Sequence, residues 1–107
     1  MEDSFSSESN TIVRVEANTV TIVKKYIRQC QLHLPELLQA ASQNNFPLLI
    51  QEAHKIKGTS GLMSVAQLSS LGEQLERAAK ANNPAEVQLQ LEALSRYLNS
   101  ITITAQQ

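Results

Sequence analysis

The sequence predicts an all-α fold, an antiparallel up-and-down four-helix bundle with an additional short or kinked helix at its N-terminus. Three observations carry that prediction. A length of 107 residues is one domain's worth, since two independent cores need more chain. With 42% apolar and 18% charged residues the chain is too hydrophobic for disorder, and only 3 Gly and 3 Pro leave it short of the turn-formers of an all-β sandwich. Apolar residues recur at three- and four-residue spacing in runs broken by Asn and Pro, the pattern of amphipathic helices joined by short connections.

Residues 1–11, MEDSFSSESNT, are too polar to offset their ordering entropy and are expected as a mobile tail. The domain is drawn at 12–103, with a second tail at 104–107. The alternation IVRV from Ile12 reads as a short extended lead-in. Asn18 is placed to cap a helix over about 19–33 whose inner positions are Val20, Ile22, Val23, Tyr26, Ile27 and Cys30. Pro35 has no N–H to donate, so it either kinks that helix or opens the next at its first position. The run 36–43 continues as a helix with Leu37, Leu38 and Ala41 inside, ended by Asn44 and Asn45.

Pro47 begins a third helix, capped by Asn45 or Phe46, with Leu48, Leu49, Glu52, Ala53, Ile56, Ser60 and Met63 along its inner side. Ser64 with Gln67 reads as a capping box, and Met63 with Leu68 as a hydrophobic staple, so a fourth helix starts near Val65. Its inner stripe is Leu68, Leu71, Leu75 and Ala78. Asn82 and Asn83 stop it, and Pro84 opens the last helix, with Glu86 at the third position and a seam of Val87, Leu91, Leu94, Leu98 and Ile101. The closing ITIT either frays or extends.

Nine Lys plus Arg against ten Asp plus Glu give a net charge of -1, so no global basic field exists to hold nucleic acid. The chain has neither a signal-peptide pattern nor the roughly 18 consecutive apolar residues of a membrane span, and a soluble, cytoplasmic protein is expected. Cys30 is the only cysteine and reads as a small buried hydrophobe. Cys30 and His33 have ligand spacing, but a lone pair is a poor zinc site, and no bound cofactor or metal is expected. His33 itself reads as a helix-boundary or packing residue. Lys24, Lys25, Arg28, Arg77 and Lys80 read as solvated charges, the last two bordering the site described next.

Glycine inside a helix costs about 1 kcal/mol relative to alanine, yet the third helix carries two. Lys57, Gly58 and Gly61 follow His54 by three, four and seven residues, so at 100° per residue all four share one face, opposite Leu49, Ala53, Ile56 and Ser60. The histidine therefore points outward with side chains stripped away beside it. A hairpin turning near residue 65 sets His54 level with Glu76, and Gly58 level with Gly72. A carboxylate accepting the Nδ1 proton fixes the tautomer and leaves Nε2 bare and nucleophilic. The chain has no phosphate-cradling glycine loop and no nucleophile–base triad, so it supplies an acceptor only. Phosphoryl transfer needs chiefly positioning and charge neutralisation, which a bare Nε2 and the Lys57 ammonium fit if a partner brings the phosphoryl group and its metal.

At these residues the stretch AHKIKGTSGLMSVAQLSSLGEQLE, residues 53–76, resembles the histidine-containing phosphotransfer (HPt) family, whose signature is A-H-x-[LI]-K-G followed by a Leu-x-x-Leu helix. The likeness extends over about residues 12–103. It implies that His54 is phosphorylated, that Lys57 helps hold the phosphoryl group, that Gly58 and Gly61 give the partner room, and that Glu76 bonds the imidazole. It also implies a relay between aspartate-bearing receiver domains, possessing Mg2+, in two-component signalling, and a hybrid sensor histidine kinase as a further partner. Many members carry glycine where Ser64 stands.

The reading is thus a monomeric phosphoryl carrier, not an enzyme in its own right, free-standing and without nucleic-acid or membrane partners. Leu62, Met63 and Val65 read as core or staple residues, one or two of them forming an apolar rim for the partner. Two rivals share the exposed helical histidine or its face: a non-catalytic interaction module, and a histidine-kinase dimerisation hairpin, which also needs a nucleotide-binding domain.

Overall fold

The computed structural model describes residues 11–106, so the expected tail over residues 1–10 lies outside the described residues. Four helices, α1 (Val20–Ser42), α2 (Phe46–Leu62), α3 (Ala66–Lys80) and α4 (Pro84–Ser100), are flanked by two strands, β1 (Thr11–Val15) and β2 (Ile101–Ala105). Each helix packs against its neighbours in the chain, and α1 also packs against α4. Leu49, Leu68, Leu75, Leu91, Leu94 and Leu98 fill the space between them and are fully buried. This is the helical bundle the sequence predicts, with two strands added.

The helices expected over 19–33 and 36–43 are one helix, α1, with Pro35 inside it. Pro35 offers no N–H to the Gln31 carbonyl, a loss of about 3 kcal/mol in an isolated helix. Val23, Ile27, Cys30, Leu37 and Ala40 form a buried stripe that runs across the proline, and that tertiary burial outweighs the local break. The Gln31 amide also donates to the Leu98 carbonyl at 2.8 Å, tying this stretch to α4. Ile22 and Leu38, expected inside, are exposed, because the stripe drifts to Val23 and Ala40 instead. Asn18 does not cap α1. It lies in a 3-10 turn, Ala17–Thr19, and the N-cap residue is Thr19, whose hydroxyl donates to the Glu16 carbonyl at 2.8 Å.

The three interhelical turns share one construction. Asn44, Ser64 and Asn82 adopt φ of 53°, 64° and 52°, the left-handed region. The next residue's N–H reaches back five positions: Asn45 to Ala40 at 2.8 Å, Val65 to Ser60 at 2.9 Å, Asn83 to Ala78 at 3.2 Å. These are Schellman terminations, in which one left-handed residue satisfies the last carbonyls of a helix. Asn45 and Asn83 then cap the following helix, their side chains accepting from the Leu48 and Glu86 N–H at 3.3 and 3.1 Å. At the middle turn the N-cap is Val65, which makes no side-chain bond, so the capping box expected around Ser64 is absent. Ser64 ends α2 rather than starting α3.

The ITIT run extends and pairs in parallel with the IVRV lead-in, Val13 opposite Ile103 and Val15 opposite Ala105. The four helices are the crossover that a parallel pair requires. Val15 and Ile103 point inward and are buried, while Ile12, Arg14 and Thr102 face out, the two-residue period of a half-buried ribbon. The ladder takes in Thr11, Thr104 and Ala105, beyond the boundaries drawn at 12 and 103.

Candidate functional site

The buried side of α2 is Phe46, Leu49, Ala53 and Ser60. Ile56, Glu52 and Met63 sit half-buried at its margins, and Leu48, expected inside, is exposed. The opposite side carries His54, Gly58 and Leu62 in a row, one turn apart. The His54 side chain is 71% exposed, and that of Glu76, its partner across the hairpin, only 9%.

Glu76 reaches His54 because α3 lies unusually close to α2. A Cβ at Gly72 would stand 2.8 Å from the Lys57 nitrogen, 3.0 Å from the Ala53 carbonyl oxygen and 3.1 Å from Ile56 Cγ2. Only glycine fits there without displacing backbone. One turn later Glu76 is buried, the sole buried charged side chain among the described residues. Its Oε2 lies 3.2 Å from His54 Nδ1. The same oxygen accepts from Lys80 Nζ at 3.2 Å. Burial alone would raise the Glu76 carboxyl above the usual carboxylate range, but the Lys80 ammonium, and after it the His54 ring, outweigh burial and hold it lowered. An ionised carboxylate can only accept, so Nδ1 is the donor and carries the ring proton. In the neutral ring Nε2 is then the unprotonated nitrogen.

Lys57 sits half-buried toward α3, and its carbonyl accepts from the Ser69 hydroxyl at 2.8 Å. Nothing lies within 4 Å of a Cβ placed at Gly58, whereas one at Gly61 would touch Ser69 Oγ at 3.5 Å. The fold therefore has no steric need for glycine at Gly58, beside His54, and little at Gly61. Gly72 packs over Ala53, Ile56 and Lys57 of α2. His54 and Glu76 are brought together as the sequence arithmetic has it. Two contributors were missed. Lys80 reads as a border charge in the sequence, although four residues after Glu76 is the spacing of a helical ion pair. The close approach at Gly72 shows in the letters only as another glycine.

The other residues of interest lie apart from this site. Cys30, His33, Tyr26 and Ile56 line a groove between α1 and α2 floored by Leu94 and Leu98. Burial pushes the Cys30 thiol up, the behaviour of a small buried hydrophobe. Arg77 pairs with Glu73 at 3.1 Å and not with the site. Among the described residues no three His, Cys, Asp or Glu side chains gather as a metal set, and no helix is long and apolar enough to cross a membrane.

An exposed helical imidazole with a buried carboxylate behind it stands where the sequence resemblance puts it, and the family model of the Hpt domain matches residues 21–102. The chain belongs to the Hpt domain family. No curated protein and no solved structure gives a significant match. An Hpt domain performs phosphotransfer in two-component signalling, as a phosphoryl carrier rather than a classical enzyme, and its partners are response-regulator receiver domains and kinases. The span of the match takes in all of α2, α3 and α4 and nearly all of α1, so this Hpt domain is the bundle itself, with β1 lying before it.

Proposed function

We propose that this chain is a phosphorelay intermediate in which His54 accepts a phosphoryl group from a receiver-domain aspartate and passes it to another receiver. One observation carries the reading. The ring is open to solvent while its Nδ1 is held by Glu76, which leaves Nε2 as the nucleophile. The Nε2 lone pair attacks phosphorus, the bond from phosphorus to the aspartate oxygen breaks, and its electron pair stays on the aspartate carboxylate. The proton on Nδ1 remains there, and Glu76 offsets the positive charge that develops on the ring. Lys57 neutralises charge on the transferred oxygens, and the receiver contributes its magnesium. Gly58 and Gly61 keep the ring accessible. Val65 is fully buried and Met63 half-buried, so Leu62, 90% exposed, is the apolar residue left to meet the partner. The carrier works as a cytoplasmic monomer.

Incubation with phosphorylated receiver domains tests this. The expected product is an acid-labile, base-stable adduct that is lost in His54→Gln with binding nearly intact. Gly58→Glu, an exposed substitution, is expected to block transfer while changing stability by about 0.5 kcal/mol or less beyond helix propensity. Binding with no labelling at all favours the alternative reading, a plain interaction module.

A further inference from the structure

Two donors share one oxygen at this site. His54 Nδ1 and Lys80 Nζ each lie 3.2 Å from Glu76 Oε2. We propose that Lys80 is a positioning residue that prolongs the life of the phosphoryl group on His54, by competing with the imidazole Nδ1 for Glu76 Oε2. The inference rests on the reading that His54 is the phosphorylated residue.

The chemistry of the leaving group gives Lys80 its effect. When phosphorus on Nε2 is lost, the P–N bond breaks with its electron pair returning to Nε2, and the phosphoryl group passes to an oxygen of water or of a partner carboxylate. If Nδ1 keeps its proton throughout, the ring departs as neutral imidazole; without that proton it must depart as imidazolate, a far poorer leaving group. A carboxylate on Nδ1–H stabilises the protonated, labile form. An ammonium on the same carboxylate oxygen opposes that stabilisation, and because Glu76 is buried the opposition is only partly screened by water.

The neighbouring charges leave Lys80 as the main modulator. Lys57 on α2 makes no ion pair with Glu76, Arg77 is taken by Glu73 at 3.1 Å, and Lys55 by Glu52 at 3.3 Å. Among the described residues no ion pair or hydrogen bond from α1 or α4 reaches His54 or Glu76. Lys80 therefore acts as a brake on His54 without touching it.

The full chain, labelled with the small-molecule donor phosphoramidate and freed of donor, reports the lifetime directly. Lys80→Met is expected to lose label about three- to tenfold faster than the wild type, the effect of up to one pH unit on a protonation equilibrium. Lys80→Arg is expected to keep the wild-type lifetime. In a Glu76→Gln background, adding Lys80→Met is expected to change nothing further. An unchanged or longer lifetime in Lys80→Met overturns the proposal, as does equal acceleration in the Glu76→Gln background, which means that the ammonium acts on the phosphoryl group itself. A second measurement needs no label: the His54 Nδ1–H proton resonance is expected to move downfield in Lys80→Met, and a resonance that stays in place overturns the proposal. If the wild type takes no label while that resonance moves, the coupling through Glu76 stands and the phosphorelay reading is at fault.

Discussion

At the scale of single residues, Glu76 ties the chemistry of the site to the stability of the fold. Its carboxyl is pushed up by burial but held below its ordinary value of 4.5 by Lys80 and His54 together. A group whose folded value is lowered stabilises the native state above its unfolded value and loses that contribution as the pH falls through the folded one. Wild-type protein is therefore expected to be more stable than Glu76→Gln at pH 7. The gap closes in acid, below 4.5, as the carboxylate takes a proton. Urea midpoints for the two proteins across that range check the sign, and a gap that persists at roughly pH 2 assigns the Gln defect to packing instead. Tyr97 is the contrasting case. Its hydroxyl is buried, pushed up to about 12 by that burial, and finds no hydrogen-bond partner among the described residues. Burial without a partner is a cost, so that residue earns its place by the ring alone.

At the scale of elements, the turns reassign a residue that the sequence reads as a helix cap. Asn44 and Asn82 tolerate the left-handed region because a short amide side chain bonds locally, but Ser64 has less reason to be there. Glycine has no Cβ to strain at φ 64°. Ser64→Gly is accordingly expected to raise stability by about 0.5–1 kcal/mol, read as a higher urea midpoint at unchanged slope. A fall in the midpoint means that the serine hydroxyl does something the backbone does not reveal. Helix existence and the outward face of α2 were legible in the letters, because three- and four-residue spacing is a local property. The turn at Ser64 was not, since its letters also spell a capping box, and which side of the turn a serine serves depends on one dihedral angle. Pro35 misled for a related reason: a rule about isolated helices gave way to a buried stripe that only the assembled bundle supplies.

At the scale of the whole molecule, the ribbon joins the two ends of the described chain. A two-stranded sheet is marginal in water, so β1 and β2 hold together because Val15 and Ile103 bury against the bundle. The alternation in IVRV and ITIT was visible separately, but the partners stand 90 residues apart, Val13 with Ile103, and no local pattern declares that pairing. Joining first strand to last also links α1 to α4 at the ends where the bundle would otherwise open. The His54 site lies elsewhere, on the α2–α3 hairpin, held by Gly72 and Glu76. Stability and chemistry are therefore expected to separate. Ile103→Ala removes a buried branched side chain and is expected to cost about 2–4 kcal/mol. Under conditions where the variant stays folded, phosphoryl labelling of His54 is expected to match the wild type. Denaturation curves and labelling rates, measured on the same preparations, decide the matter. A loss below about 0.5 kcal/mol, the range of surface changes, shows the ribbon to be dispensable for the bundle. Slowed labelling of fully folded Ile103→Ala shows instead that the closed ends of α1 and α4 set the spacing of α2 and α3, and hence the distance from Glu76 to the ring.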